Sequence, residues 1–149
     1  MRVGFDLDGV LADISVVDWL LTGQIKDEKQ NKVLYQFLHD QKLLINPCEL
    51  LHEKDEYIII TGRGEKYREI TERWLKKYGI TAPLYMTDVG VVADYPSLDA
   101  YFEALAVTKA KYIKSECIEV FFEDSPDTVI RLRELCPKCK IVQVGGRLL

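Results

Sequence analysis

Short runs of apolar residues alternate along this chain with segments in which apolar residues recur every three or four positions. The runs are rich in β-branched and aromatic residues and are mostly unbroken by polar ones, as in strands buried on both faces of a parallel sheet. Helical patterns fill the intervals, which predicts an α/β fold with a three-layer, Rossmann-like parallel sheet and right-handed crossovers. The five predicted strands are Val3–Phe5, Tyr57–Ile60, Leu84–Met86, Ile118–Phe122 and Ile141–Val144.

Two of the intervening helices carry start or stop signals. The segment Glu65–Tyr78 has one apolar stripe and is followed by Gly79, a common residue just after a helix. The stripe consists of Tyr67, Ile70, Trp74 and Tyr78. A later helix is predicted to begin with Ser125 as its N-cap and Pro126 in its first turn, and to run to about Cys136.

The interval between the first two predicted strands is unusually long. About 43 residues separate Asp13 from Tyr57, far more than one crossover helix needs. Two helical patterns lie within it, one at Ile14–Leu21 and one formed by Val33, Leu34, Phe37 and Leu38. We interpret residues 14–46 as a small helical cap inserted after the first strand of a single domain that spans residues 1–149.

Composition and charge restrict the possible functions of the chain more than they restrict its fold. The chain has 149 residues, of which 48% are hydrophobic, enough to bury a core. Its 20 basic and 24 acidic residues give a net charge of -4, which argues against sequence-independent binding of nucleic acid. No apolar run approaches the roughly 18 residues of a membrane span, and the chain opens on a strand rather than a signal peptide. We therefore expect a cytoplasmic protein without a membrane partner.

Four cysteines are too few for a disulfide framework in a chain of this size. Cys136 and Cys139 form a C-x-x-C pair, which is compatible with half of a zinc site or with a redox pair. The remaining cysteines and the two histidines are scattered singly, so the sequence offers no matching second pair of ligands. We favour a structural role, in which Pro137 ends a helix and the thiols stay reduced.

Polar side chains follow three of the predicted strands. Asp6 and Asp8 follow the first, Thr61-Gly62-Arg63 ends the second, and Glu123 and Asp124 follow the fourth. Each motif alone is also typical of an ordinary turn, but the carboxyl ends of parallel strands meet at one edge of a sheet. Carboxylates gathered there repel one another unless a cation binds or protons remain. Their oxygen ligands favour Mg²⁺ over zinc, and the adjacent hydroxyl, amides and guanidinium suit an anion.

A lysine would complete a phosphate site, and three precede the fourth strand: Lys109, Lys111 and Lys114. The buried stripe of their helix is predicted to consist of Ala110, Ile113 and Cys117. With Thr108 as a plausible N-cap, Lys109 lies at the amino end of the helix, on the same edge as the strand ends. We select Lys109, while a solvated helix face is the simpler interpretation of any single lysine.

These elements, in this order, resemble the haloacid-dehalogenase-like (HAD) phosphatase superfamily. The resemblance covers nearly the whole chain, and its motifs are Asp6-Leu7-Asp8-Gly9-Val10, Thr61-Gly62-Arg63, Lys109, and Glu123-Asp124 with Asp127. The segments Asp6–Asp13 and Phe122–Pro126 are most similar to the 5'-nucleotidase and 5'(3')-deoxyribonucleotidase-like branch. The resemblance implies a hydrolase that uses Mg²⁺ to cleave phosphoric monoesters.

The resemblance also implies catalytic roles. Asp6 would be the nucleophile that forms an aspartyl-phosphate, and Asp8 would protonate the leaving alcohol and later activate water. Thr61 and Lys109 would hold the oxygens of the transferring phosphoryl group.

Binding roles follow from the same resemblance. Asp6, Asp124 and the backbone carbonyl of Asp8 would ligate Mg²⁺, with Glu123 and Asp127 in supporting positions. Gly62 and Arg63 would contact the substrate phosphate. No motif identifies the residues of the inserted cap that would select a substrate.

Three functions remain open. The first is hydrolysis of a small phosphorylated metabolite, with a nucleotide preferred. The second is a polynucleotide 3'-phosphatase, suggested by the basic and aromatic pairs Tyr67-Arg68 and Arg73-Trp74 and opposed by the acidic net charge. The third is a non-catalytic protein that binds a phosphorylated ligand, which the presence of Asp6, Asp8 and Lys109 disfavours. The sequence leaves the leaving group and the oligomeric state open.

Overall fold

Five parallel strands form the central sheet of the computed structural model, which describes residues 1–13 and 28–145. The strands are β1 (Arg2–Phe5), β2 (Glu56–Thr61), β3 (Leu84–Met86), β4 (Val120–Glu123) and β5 (Lys140–Gln143). Their order in the sheet is β3-β2-β1-β4-β5. The predicted parallel α/β sheet is confirmed, and the strand bounds differ from the prediction by at most two residues.

The strand register places the ends of β1, β2 and β4 at one edge of the sheet. Phe5, the last residue of β1, is level with Ile59 on one side and Phe122 on the other. The next residue, Asp6, donates its backbone N–H to the carbonyl of Phe122 at 2.9 Å. Asp6 is therefore held directly beside the end of β4.

Helices cover both faces of this sheet. Their bounds are α1 (Glu28–Asp40), α2 (Pro47–Leu50), α3 (Arg68–Lys77), α4 (Leu98–Ser115) and α5 (Pro126–Leu135). Phe121 and Ile60 pack with buried residues of α4 and α5 on one face. Phe5 and Ile59 pack with Trp74 of α3 on the other. The resulting helix–sheet–helix arrangement is the predicted three-layer fold.

The inserted segment contains the predicted second helix. In α1, Leu34 and Leu38 are buried against α3 and the end of β3, whereas Val33 and Phe37 are 44% and 38% exposed. The candidate helix Ile14–Leu21 lies outside the described residues. The division of residues 14–46 into a separate cap therefore stays a prediction.

The predicted start of the helix that carries Lys109 is wrong. Helix α4 begins at Leu98, where the hydroxyl of Ser97 accepts the N–H of Ala100 at 3.1 Å. Thr108 lies inside the helix, and its hydroxyl donates to the carbonyl of Ala104. Lys109 thus occupies the middle of an 18-residue helix rather than its amino end.

The end of α4 also differs from the prediction. The helix stops at Ser115, and Cys117 is exposed with a φ of 53°, so it is not part of the buried stripe. Ala110 and Ile113 are buried as predicted. The left-handed conformation of Cys117 turns the chain from the helix towards β4.

The C-x-x-C pair lies in the apolar core. Cys136 and Cys139 are both buried among residues of the α4 and α5 face. Burial raises the pKa of both thiols, that of Cys139 to about 11. Protonated thiols are poor metal ligands and poor nucleophiles, which favours the structural interpretation.

None of the helices in residues 1–13 and 28–145 has the length and apolar character that a membrane-spanning helix requires.

Candidate active site

Three carboxylates meet at the carboxyl edge of the sheet. Asp6 follows β1, Glu123 ends β4, and Asp124 comes next in the chain; one oxygen from each lies within 4.8 Å of the others. Asp6 and Glu123 are buried, with exposures of 5% and 1%, and Asp124 is partly exposed. The Glu123 carboxylate is fixed through Oε1, which accepts the backbone N–H groups of Asp124 and Ser125.

Lys109 places its ammonium group inside this cluster. Its Nζ donates to Oε2 of Glu123 at 2.7 Å and to Oδ1 of Asp6 at 3.2 Å. The side chain is 3% exposed, so its charge depends on these two partners. Burial opposes the charged form, but Asp6 and Glu123 together raise the pKa of Lys109. Lys111 and Lys114 are exposed and lie elsewhere on α4.

The cluster carries more negative charge than Lys109 balances. Burial, and then repulsion from Glu123, raise the pKa of Asp6 well above its ordinary value. Burial and a hydrogen bond with Glu123 raise the pKa of Asp124 to about 7. Glu123 behaves differently: burial opposes its charged form, but the charge of Lys109 and the hydrogen bonds with Asp6, Asp124 and Lys109 together lower its pKa. A divalent cation beside these three carboxylates would offset the remaining two charges.

Gly9 makes room for one member of the cluster. Its φ of 82° is unfavourable for residues with a side chain. A Cβ atom at this position would lie 2.0 Å from Oδ2 of Asp124. The glycine of the Asp-x-Asp-Gly motif therefore lets the turn after β1 pass directly against the carboxylate of Asp124.

Asp8 has a different set of neighbours. The Nε of Arg63 donates to Oδ2 of Asp8 at 2.8 Å, and Nη2 of Arg63 donates to Oδ1 at 2.6 Å. Gln41 adds a donor, its Nε2, to the same Oδ1 at 3.1 Å. The carboxylate is therefore bound by the guanidinium in a bidentate manner and by one amide. We call this set of hydrogen bonds the grip on Asp8. The Asp8 side chain is 16% exposed and lines the cavity.

The Thr-Gly-Arg motif supplies the guanidinium that binds Asp8. Arg63 is buried, and its Nη1 also donates to the hydroxyl of Thr71 at 2.9 Å. Thr61 is fully buried; its hydroxyl accepts the backbone N–H of Arg63 and does not line the cavity. Gly62 does line it. The phosphate-binding roles expected of Thr61, Gly62 and Arg63 stay predictions, and the observed partner of the guanidinium is Asp8.

Sequence reasoning missed two residues of this network, Gln41 and Thr71. Neither belongs to a recognisable motif. Gln41 directly follows α1, so only the return of the inserted segment to the sheet edge brings it to Asp8. Asp127 lines the cavity from the first turn of α5 but is not part of the carboxylate cluster.

A cavity of about 460 Å³ opens above Asp6 and Asp8. Its lining has an acidic part, called the floor here, and an apolar and aromatic part, called the wall, which consists of Tyr67, Val91, Val92, Leu98, Tyr101, Phe102 and Leu105. Among the described residues, the basic side chains that line it are Arg63 and Lys109, and both are engaged with carboxylates. The cavity thus combines a charged floor with a wall suited to an apolar or aromatic group.

Comparison with known proteins places this geometry in a known fold. No family model matches the chain, and no curated protein does. A chain in the structure of the Pnkp1/Rnl/Hen1 RNA repair complex is similar, with 23% identity and a TM-score of 0.63, over 99% of this chain and 43% of that one. A HAD-superfamily hydrolase, subfamily IA, variant 1, from Geobacter sulfurreducens PCA has 10% identity and a TM-score of 0.57, over 99% and 88%. The chain has the fold of the HAD hydrolases.

A chain in a second structure of the Pnkp1/Rnl/Hen1 complex has a similar fold. It has 22% identity and a TM-score of 0.55, over 96% of this chain and 45% of that one. The chain therefore spans less than half the length of the two Pnkp1/Rnl/Hen1 chains it matches. The resemblance inferred from the motifs is supported at the level of the fold, and the nucleotidase-like branch stays a prediction.

Proposed function

We propose that this protein is a Mg²⁺-dependent phosphomonoesterase that acts on a small phosphorylated metabolite, preferably a nucleotide, through an aspartyl-phosphate intermediate. One observation carries the proposal: two aspartates from one turn face the same cavity in different surroundings. Asp6 lies among carboxylates and an ammonium group, and Asp8 is held by a guanidinium and an amide. These surroundings suit a metal-assisted nucleophile and a separate acid–base group.

The donor set fits Mg²⁺. Asp6 and Asp124 would hold the ion together with the backbone carbonyl of Asp8, and Glu123 and Asp127 would support them. All of these donors are oxygens, and the pKa values of Asp6 and Asp124 are raised first by burial and then by neighbouring carboxylates, whose negative charge a cation would offset. When bound, the ion would supply positive charge to the phosphoryl oxygens.

In the proposed reaction, Asp6 is the nucleophile and Asp8 transfers the protons. A carboxylate oxygen of Asp6 attacks phosphorus, and the ester P–O bond breaks as Asp8 gives its proton to the departing oxygen. Asp8 then removes a proton from water, which attacks the acyl phosphate and releases inorganic phosphate and free Asp6. Lys109, hydrogen-bonded to Asp6, would stabilise negative charge on the transferring group.

The lining of the cavity favours the proposal of a small substrate with a single phosphate. Its aromatic wall can stack a nucleobase, and Tyr67, Tyr101 and Phe102 supply the rings. Within the described part of the chain, both basic side chains of the lining are already paired. A chain of phosphates would therefore meet an acidic floor without free cations to bind it.

A second candidate is a polynucleotide 3'-phosphatase. It is favoured by the similarity to a chain of the Pnkp1/Rnl/Hen1 RNA repair complex over nearly all of this chain. The basic pairs that suggested nucleic-acid binding give it little further support. Arg68 is paired with Glu65 and Glu72, and Trp74 is buried in the core.

A phosphate-release assay with three substrate classes tests the proposal. Nucleoside monophosphates, sugar phosphates and 3'-phosphorylated oligonucleotides are compared with Mg²⁺ and with EDTA, with Asp6→Asn as the blank. We expect Mg²⁺-dependent release that is fastest from mononucleotides. A preference for the oligonucleotides would support the second candidate. No release from any class by protein that binds Mg²⁺ would contradict both and favour a non-catalytic protein.

A further inference from the structure

The side-chain amide of Gln41 forms hydrogen bonds with both Asp8 and the guanidinium of Arg63. Its side-chain Nε2 donates to Oδ1 of Asp8 at 3.1 Å, and its Oε1 accepts from Nη2 of Arg63 at 2.8 Å. The second N–H of the amide donates to the carbonyl of Asp13 at 3.2 Å. Reversing the amide would oppose oxygen to the carboxylate and nitrogen to the guanidinium, so the network permits only this orientation.

The backbone of Gln41 is anchored as firmly as its side chain. Its carbonyl accepts the indole N–H of Trp74 at 2.9 Å and the hydroxyl of Tyr78 at 3.3 Å. The residues that follow Gln41 are tied to the turn after β1, because Asp13 donates its N–H to the carbonyl of Lys42 and Leu44 donates its own to the carbonyl of Leu11. Gln41 is 5% exposed. The amide is therefore a fixed point beside Asp8 rather than a mobile surface group.

The hydrogen bonds distinguish the two oxygens of Asp8. Arg63 gives one donor to each, and Gln41 gives a further donor to Oδ1. A carboxylate oxygen offers about two acceptor positions, so the described residues occupy both positions on Oδ1 and one on Oδ2. With respect to residues 1–13 and 28–145, the oxygen with an open position is Oδ2, on a side chain that lines the cavity.

We propose that Gln41 is a positioning residue that fixes the Asp8 carboxylate so that Oδ2 faces the substrate. The inference rests on the proposed phosphatase function, in which Asp8 exchanges a proton with the leaving oxygen. Without Gln41, the guanidinium still binds Asp8, but each carboxylate oxygen then accepts one described donor, so the open acceptor position is no longer confined to Oδ2. The carboxylate then loses part of its orientation, and proton transfer in the first step becomes slower.

Gln41→Met tests this proposal, because methionine retains the length of the side chain and removes both polar atoms. The rate of the first step is measured with alkyl phosphates and with a nitrophenyl phosphate, whose leaving group needs little protonation. For alkyl esters we expect the first step to slow by about 10–100-fold, a fraction of the usual contribution of a general acid. For the nitrophenyl ester we expect less than about a threefold change in the burst rate.

Two further variants separate positioning from folding. Gln36→Met, an exposed site on α1, should behave like the natural protein with both esters. Gln41→Glu keeps an oxygen for Arg63 but replaces the donor to Asp8, and should show at least the selective loss of Gln41→Met. Thermal melts and Mg²⁺ titrations of each variant confirm that the fold and the carboxylate cluster are intact.

The outcomes are distinct. A selective loss with alkyl esters supports the positioning role. Equal losses with both esters, or no loss with either, overturn it while the proposed function stands. If the natural protein releases phosphate from no ester, the proposed function itself fails. Melting below the assay temperature for Gln41→Met makes Gln41→Glu the deciding variant, and wild-type behaviour of a folded Gln41→Glu would also overturn the role.

Discussion

Asp6 and Asp8 are two positions apart on one turn, yet their surroundings have opposite character. Asp6 is buried beside two other carboxylates and one ammonium group, so its neighbourhood carries excess negative charge. Asp8 is held by Arg63 and Gln41, which supply only hydrogen-bond donors to it. The first arrangement attracts a cation, and the second orients a carboxylate. In the proposed mechanism, this difference would let one residue type serve two steps of the reaction.

The backbone of the turn creates this difference. The carbonyl of Leu7, between the two aspartates, accepts the N–H groups of Val10, Leu11 and Ala12, and the Leu7 side chain is fully buried. The turn is thereby fixed to the core at its midpoint. Asp6 stays in line with the end of β1, and Asp8 projects towards the inserted segment and Arg63.

The largest expected effect comes from Asp6→Asn. The substitution removes the anionic attacker but preserves shape, so we expect turnover to fall by about 10⁴-fold or more with every ester, the nitrophenyl ester included. Steady-state kinetics with saturating Mg²⁺ measures the loss. Activity within tenfold of the natural protein would show that Asp6 is not the nucleophile, and the contrast between the two aspartates would lose its functional meaning.

Asp8→Asn should have a smaller and more selective effect. We expect turnover of alkyl esters to fall by about 10²–10⁴-fold, the usual range for loss of a general acid. Mg²⁺ binding should be largely retained, because the metal ligand expected from Asp8 is its backbone carbonyl. With nitrophenyl phosphate, rapid mixing should show a burst of nitrophenolate followed by slow hydrolysis. Equal losses in the first step for both esters would show that Asp8 is not the acid.

The sequence predicted the sheet edge well, because strand ends can be located from apolar runs. Asp6, Thr61 and Glu123 each end or follow a short run, and parallel pairing then requires that they share an edge. The structure confirms this convergence for the carboxylates of Asp6, Glu123 and Asp124. The order of motifs along the chain carried the rest of the resemblance.

The position of Lys109 in its helix could not be predicted in the same way. The helical periodicity correctly placed Ala110 and Ile113 in the core, but it cannot mark where a long helix begins. The true signal was Pro96-Ser97 ahead of Leu98, and a plausible cap at Thr108 competed with it. Gln41 left no signal, because its contact with Asp8 depends on the path of the inserted segment.

Lys109→Met should lower stability more than any other single change within the carboxylate cluster. It leaves Asp6 and Glu123 buried without their cation, and removal of one partner from a buried ion pair costs about 3–5 kcal/mol. Urea unfolding in EDTA measures this change. Lys111→Met, an exposed position on the same helix, is the matched control and should shift stability by less than about 0.5 kcal/mol. Similar values for the two variants would contradict the pairing.

The smallest expected effect is the dependence of metal-free stability on pH. In the folded protein the pKa of Asp124 is raised to about 7 from an ordinary 3.8, and that of Asp6 is also raised. Between these values the folded state binds more protons than the unfolded state. The free energy of unfolding contributed by these groups therefore falls as the pH rises from about 4 to about 7.

Asp124→Asn sharpens this prediction because it removes one of the carboxylates that must ionise in a buried site. Asp124 contributes on the order of 2–4 kcal/mol to the decline, so in EDTA the variant should be more stable than the natural protein at pH 8 and close to it at pH 4.

Added Mg²⁺ should raise the melting temperature of the natural protein at pH 8 and do so much less for the variant, because the ion binds only the folded carboxylates. Asp8→Asn provides the comparison: its partners are donors rather than acids, so it should lack the stabilisation at pH 8 and keep the response to Mg²⁺. If Asp8→Asn and Asp124→Asn respond alike to pH and to Mg²⁺, the two sides of the turn do not differ electrostatically as their neighbours indicate.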